Sequence, residues 1–460
     1  MILLLWLSLT AHAGTALKFE DVQGIVASRM PLIMEAMEKK RAAEGVLEAQ
    51  EGSFDHKIKF KSMNQIEDNY DNQVFETKLE RQTPWMGSRM FVGHRQGNGV
   101  FAAYDGKYET SSLGELFAGV DVPLLRDRAI DEFRLNRLKS SIQVQKAEAD
   151  VQQKRLDVLF KAAQVFWKWT MAGQKLRILE NWVKQAEDRQ QFLEKKVRAG
   201  DTSQIKLTDN RRTLLKRQAD VVKVRRDFEM ASAELALYIN RTPSLSEVKT
   251  EIKLSEDKID LPQVSIRDQL PPFKLVKLEE EILAQEREFA ISQQLPDLRL
   301  AVEGARDVGV QSQAPGGQDQ LRVGVMLEIP LENRKGKGKR GEIAGKKAAL
   351  NYRREWLERE WEARIKQNAQ ALTTTRQQLE LQQSEVSDTS KMARAELTRF
   401  NQGDSDIFFV NIREQDEAEA QVRLIETEAL HELMVAERRL LDGQWLREIN
   451  TARDSKKSIQ

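Results

Sequence analysis

The side chains that most often carry out catalysis are sparse in this sequence and widely separated. The four histidines are His12, His56, His94 and His431, and the His431-Glu432 pair lacks the second histidine four positions on that a zinc-binding helix requires. There is no cysteine to act as nucleophile or metal ligand, and no glycine-rich loop of the kind that cradles phosphates. The chain therefore reads as no enzyme, with no cofactor and no metal site.

Two short charged stretches offer a different chemistry, reversible ion pairing and docking. Arg198-Ala199-Gly200-Asp201-Thr202 and Gly403-Asp404-Ser405-Asp406 each set acidic residues beside a glycine, with Lys196 before the first and Arg399 before the second. Glycine suits the left-handed end of an incoming helix, and Asp with Thr or Ser can cap the outgoing one. A plain turn needs nothing more than this. The docking reading comes from the turns standing at matching points of two similar halves. A third charged run, Arg334 to Arg340, has no interleaved aromatics and reads as a solvated helix entrance rather than a phosphate or lipid contact.

The elements that must position these turns occur twice. Val122-Pro123-Leu124 opens a long charged and apolar stretch ending at the first turn, and Ile329-Pro330-Leu331 opens another ending at the second. Each turn is followed by a further long stretch, to near Asn240 and near Leu446, and no proline interrupts either half after its Pro-Leu. Upstream, Met30-Pro31-Leu32 and Pro271-Pro272-Phe273 each precede a helix-forming run. The order in both halves is Pro, helix, strand, turn, strand, very long helix, Gly-Asp, long helix. We assign 17–240 to a first repeat with its tip at 199–204, 241–271 to a linker, 272–446 to a second repeat with its tip at 402–407, and 447–460 to a tail.

Apolar residues from Leu156 through Leu159, Ala163, Phe166, Trp167, Thr170, Leu179, Trp182, Ala186 and Leu193 to Val197 recur at three and four, which predicts an amphipathic helix. Each unbroken arm reaches about 110 Å as helix, the first longer by about one turn. So long a helix must lie beside others in a coiled coil or helical barrel. Trp167, Trp169, Trp356 and Trp361 on these arms are expected to be packing residues.

The strands alternate. Leu321, Val323, Val325, Leu327 and Ile329 oppose Arg322, Gly324 and Glu328; Leu298, Leu300 and Val302 oppose Arg299 and Glu303; Phe54, Ile58 and Phe60 oppose Asp55, Lys57 and Lys59; Leu116, Ala118, Val120 and Val122 oppose Gly119 and Asp121. One apolar and one polar face suits a barrel with lipid outside and water inside, although a sheet packed on helices alternates too. Two hairpins cannot close a barrel alone, so several chains are needed; three supply about twelve strands. Between Asn69 and Leu113 lie extra segments, Val74 to Gln82 and Arg89 to His94, read as an additional hairpin and an exposed loop.

Net charge is +1 with 32% charged residues of both signs mixed along the helices, which argues against a nucleic-acid protein. Residues 1–13 are apolar and end in Ala11-His12-Ala13, a secretory signal pattern without the usual basic start. Thereafter no apolar run is long enough for a transmembrane helix.

Together these parts resemble the outer-membrane efflux protein family, the TolC-type exit ducts of Gram-negative bacteria. The residues that carry the resemblance are Leu17 to Val22 with Met30-Pro31-Leu32, Gly119 to Leu124, Val325 to Leu331, Lys196 to Gly200 and Arg399 to Gly403. The resemblance implies a mainly α fold in which duplicated long helical hairpins form a trimeric α-barrel continuous with an outer-membrane β-barrel. It implies a homotrimer in outer-membrane lipid, with its helical tunnel in the periplasm. It also implies a belt formed by the N-terminal helix, the linker and the tail. Its partners would be a periplasmic adaptor (membrane fusion) protein and an inner-membrane pump, in a tripartite efflux or type I secretion system. The tip residues Arg198, Gly200, Asp201, Thr202, Arg399, Gly403, Asp404, Ser405 and Asp406 take the gating and docking role by the same resemblance. The competing reading is a soluble periplasmic coiled-coil scaffold or adaptor, although an adaptor usually has one helical hairpin and this chain has two.

Overall fold

The computed structural model describes residues 16–65, 71–101, 109–249, 264–310 and 319–457. The signal segment 1–13, the middle of the linker (250–263) and the end of the tail lie outside them. Contacts divide the chain into two compact units, one of residues 37–150 and 271–356 and the other of residues 1–36, 151–270 and 357–460.

In chain order the elements are α1 (Phe19–Arg29), α2 (Pro31–Glu51), β1 (His56–Gln65), β2 (Asn72–Gln82), β3 (Arg89–Gly99), β4 (Glu115–Pro123), α3 (Glu132–Arg198), α4 (Gln204–Ile239), α5 (Val264–Arg267), α6 (Pro271–Ser292), β5 (Asp297–Asp307), β6 (Asp319–Glu328), α7 (Arg334–Gln402), α8 (Ile407–Leu441) and α9 (Gln444–Lys457). Proline opens both α2 and α6, where its missing N–H costs nothing. The long helices α3 and α7 have 67 and 69 residues, so each is about 100 Å long. The expected extra turn in the first arm is absent because Leu124 to Asp131 are not helical: Asp127 adopts a φ of 65°, and Arg134 ties the junction by donating to Asp131 and to the Asp127 carbonyl, each at 2.6 Å. The basic run 334–340 is the opening of α7 itself rather than an approach to it.

In the first unit all six strands form one antiparallel meander in the order β1-β2-β3-β4-β5-β6. The segments Val74 to Gln82 and Arg89 to His94 form the additional hairpin read from the sequence, so the described residues hold six strands, where the count of about twelve for three copies took two per repeat. Phe54, placed in a strand by its alternation with Ile58, instead lies buried in a 3-10 turn under the Arg137 guanidinium. The register carries one face across the whole sheet through Ile58, Leu79, Val92, Ala118, Gly304 and Leu321. On that face Ile58, Phe60, Leu116, Val323 and Val325 are exposed.

The opposite face is polar and knit by ion pairs that reach over neighbouring strands. Arg95 on β3 lies 3.5 Å from Glu115 on β4 and 3.7 Å from Glu303 on β5, while Arg322 on β6 lies 2.6 Å from Glu115 and 2.7 Å from Glu303. Phe117 lies over Gly93 and Phe91 over Gly119; a Cβ on either glycine would stand 2.5 Å from the facing ring, so only glycine fits beneath them.

In the second unit the core is aromatic. Phe19 of α1 packs on Phe166 of α3 and Trp445 of α9, with ring centroids 5.7 and 6.3 Å away. Trp169 is fully buried, faces Phe228 of α4 and donates to Ser232 Oγ at 3.1 Å. Leu156, Leu159, Ala163, Phe166, Ala186 and Leu193 are buried as the periodicity predicts. Trp361 is buried and donates to the Leu441 carbonyl at 3.2 Å. In the other unit, Trp356 is 66% exposed and so does not pack within the chain as expected. The last long helix ends at Leu441 rather than near Leu446, since Gly443, with a φ of 69°, turns the chain into α9.

Candidate gating and docking site

The two tips have the same backbone hydrogen bonds. In the first, Gly200 has a φ of 79°, its N–H reaches the Val197 carbonyl at 3.1 Å, and the Asp201 N–H reaches the Lys196 carbonyl at 2.9 Å. In the second, Gly403 has a φ of 89°, its N–H reaches the Phe400 carbonyl at 3.1 Å, and the Asp404 N–H reaches the Arg399 carbonyl at 2.9 Å. Each is a Schellman closure, which satisfies the last carbonyls of a helix and requires a left-handed residue. Nothing lies within 4 Å of a Cβ at either glycine, so backbone conformation alone selects it.

The outgoing helices start later than the residue types suggested. The N-cap of α4 is Ser203, whose side chain makes no capping bond, rather than Asp201 or Thr202. The N-cap of α8 is Asp406, which accepts the Phe408 N–H at 3.1 Å, rather than Asp404 or Ser405. Ser405 instead donates to Glu396, and Arg399 donates to the Asp404 carbonyl at 3.2 Å. Arg198 turns back to Glu194 of its own helix at 3.7 Å. Gly200, Asp201, Gly403 and Asp404 are exposed, while Thr202 is half-buried.

One predicted residue crosses from hairpin to hairpin. The Asp406 carboxylate accepts from Lys206 Nζ on α4 at 2.6 Å, and this bond holds its pKa below the usual Asp value. The rings of Phe192 and Phe400 meet edge to face at 6.5 Å.

A second link between hairpins, further from the tips, was not foreseen. The Glu414 carboxylate of α8 accepts from both Arg189 of α3 and Arg217 of α4, the latter at 3.1 Å, and all three are more than nine-tenths buried. Arg189 also donates to Asn411 Oδ1 at 2.9 Å, and Arg217 to the Trp182 carbonyl at 3.0 Å, with its guanidinium 4.1 Å from the centre of the Trp182 ring. Burial pulls the Arg217 pKa down to about 10, yet it stays charged at neutral pH. Two guanidiniums on one carboxylate leave a buried positive charge. Beside the cluster is a cavity of ≈300 Å³ lined by Arg189, Phe192, Arg394, Leu397, Phe400 and Glu414. These contacts join the two hairpins through ion pairs.

Residues 130–241, which include the first tip and Arg189 and Arg217, match the outer membrane efflux protein family. The chain carries an outer membrane efflux protein domain. The fold around that efflux domain is that of solved outer-membrane channels. The outer membrane protein VceC of Vibrio cholerae is 13% identical, with a TM-score of 0.65 over 92% of this chain and 96% of its own. The CmeC outer membrane channel of Campylobacter jejuni is 12% identical, with a TM-score of 0.64 over 92% of this chain and 85% of its own. The open state of the MtrE outer membrane channel of Neisseria gonorrhoeae is 11% identical, with a TM-score of 0.65 over 92% of this chain and 88% of its own. No curated protein compared with the chain matches it. Among the described residues, no helix is long and apolar enough to cross a membrane.

Proposed function

We propose that three copies of this chain form an outer-membrane exit duct that passively conducts substrates delivered by a periplasmic adaptor and an inner-membrane pump, as in tripartite efflux or type I secretion. The observation that carries the reading is the two-faced sheet: its apolar face carries exposed hydrophobic side chains on every strand but β5, where Leu298, Leu300 and Val302 are half-buried, while the other face is knit by ion pairs. Lipid outside and water inside account for both faces. Among the described residues the edge strands β1 and β6 have no strand partner on one side, and closing them against other copies removes both edges.

Uncovered helix surface supports the same assembly. Along α4, Leu215, Val222, Met230 and Leu237 recur on every second turn and are 58–73% exposed. A neighbouring copy would cover such a stripe.

In this reading the tips close the tunnel and receive the adaptor, through Arg198, Gly200, Asp201, Thr202, Arg399, Gly403, Asp404, Ser405 and Asp406. The Lys206–Asp406 and Arg189/Arg217–Glu414 contacts hold the closed arrangement, and the hairpins part when these contacts break. Cell fractionation tests the reading. Recovery with the outer membrane, as an oligomer whose gel migration shifts on heating, is the expected result; recovery only as a soluble periplasmic protein would refute it.

A further inference from the structure

The additional hairpin between β1 and β4 has the dimensions of the strands around it. β2 and β3 have 11 residues each, against 9 to 11 for the other strands, which is the length of a tilted strand crossing the hydrocarbon core. Both lie inside the sheet, β2 paired on both sides along its length and β3 paired along its length with β2 and from Arg89 to Arg95 with β4.

Their side chains keep the sheet's two faces. Phe75, Leu79, Met90 and Val92 fall on the apolar face, and Leu79, Met90 and Val92 are 39–57% exposed there. Glu76, Lys78, Glu80 and Arg95 fall on the polar face, where Glu80 meets Lys59 of β1 at 2.6 Å and Arg95 meets Glu115 of β4.

The β2–β3 turn lies at the end of the sheet from which the helices leave. Gly87 is packed against the β4–α3 junction: a Cβ there would stand 2.8 Å from the Asp127 carbonyl and from the Asp131 carboxylate. Arg81 donates to the Phe54 carbonyl at 3.0 Å at the same end. In that turn Trp85 is 65% exposed, as an aromatic anchor at a membrane–water boundary would be.

We propose that β2 and β3 form a membrane-spanning hairpin that widens the barrel, with Leu79, Met90 and Val92 in lipid. Each copy then supplies six strands, and a ring of three has about eighteen, in the range where barrels leave an aqueous channel. This rests on the outer-membrane reading above and adds to it a lipid-facing surface and a lumen size.

The chain has no cysteine, so single-cysteine variants label at one site. Leu79→Cys, Val92→Cys, Leu116→Cys, Val323→Cys and Lys78→Cys, each labelled with bimane, are reconstituted as the oligomer in phosphatidylethanolamine/phosphatidylglycerol vesicles with and without brominated phosphatidylcholine. Folding of each is checked by heat-dependent gel migration. The expected result is that positions 79 and 92 lose fluorescence to brominated lipid as fully as 116 and 323, while 78 does not. Quenching at 116 and 323 without quenching at 79 and 92 would overturn the spanning hairpin and leave the outer-membrane reading standing. Quenching at none of the four would overturn both.

Discussion

Lys206 Nζ sits 2.6 Å from Asp406 Oδ2, joining the first turn of one hairpin's return helix to the N-cap of the other's. Both side chains are about 40% exposed, so the pair contributes little to stability, on the order of 0–1 kcal/mol. Its consequence is positional, since it fixes one tip against the other. Lys206→Glu is expected to leave the melting temperature nearly unchanged and to raise open probability in planar bilayers. The swapped pair Lys206→Asp with Asp406→Lys should restore the closed behaviour, while losing about 1 kcal/mol of stability because lysine cannot accept the Phe408 N–H that Asp406 caps. Because Lys206 lowers the Asp406 pKa, the bond's contribution is present above the usual Asp value and is lost as pH falls through the lowered one. Closure by this pair should therefore be insensitive to pH across the neutral range.

Glu414 should behave differently, because its partners are buried. Glu414→Ala leaves two guanidiniums without their carboxylate, which costs about 3–5 kcal/mol. Thermal unfolding of the purified oligomer measures this. A drop no larger than that of Lys206→Glu would contradict the assignment of the cluster as a buried link.

The tip glycines give a backbone test. Gly200→Ala and Gly403→Ala put a side chain into the left-handed region without a clash, so each should cost about 1–2 kcal/mol through backbone strain alone. Gly403→Asn should cost less, since Asn tolerates that region. Denaturant unfolding of the three variants gives the order.

His431 predicts a pH dependence. It is buried, its Nδ1 is 2.9 Å from Thr375 Oγ1, and burial, with Arg376 adding to it, holds its pKa below the ordinary value of 6.5. The unfolded chain takes up a proton below 6.5 before the folded one does, so this contribution to stability is present above that pH and is lost as pH falls through the folded pKa. His431→Gln should flatten the fall in melting temperature between neutral pH and about pH 5.

Much of the long-range plan was legible because it rests on local signals. Proline at 31 and 271, glycine at 200 and 403 and the spacing from Leu156 to Leu193 each dictate backbone or face without reference to a partner. The strand face carried by Val323 and Val325 was legible for the same reason. The inner link was not. In a chain that is 32% charged overall, a buried Arg217 has the same local context as a solvated lysine beside it, and only the packing of α8 against α3 and α4 shows which charge is enclosed. Lys206 was missed because its partner is 200 residues away in sequence. The alternation of β3 was obscured by the glycine at 93, where Phe117 supplies the missing bulk from the next strand.

The central claim is that the faces left open by one copy are closed by others around a water-filled path. The most direct test is single-channel recording of the detergent-purified oligomer in a planar bilayer, with its mass determined in the same preparation. The account predicts a mass of three copies and stepwise ohmic currents that need no nucleotide. A detergent-free monomer that passes no current would contradict it.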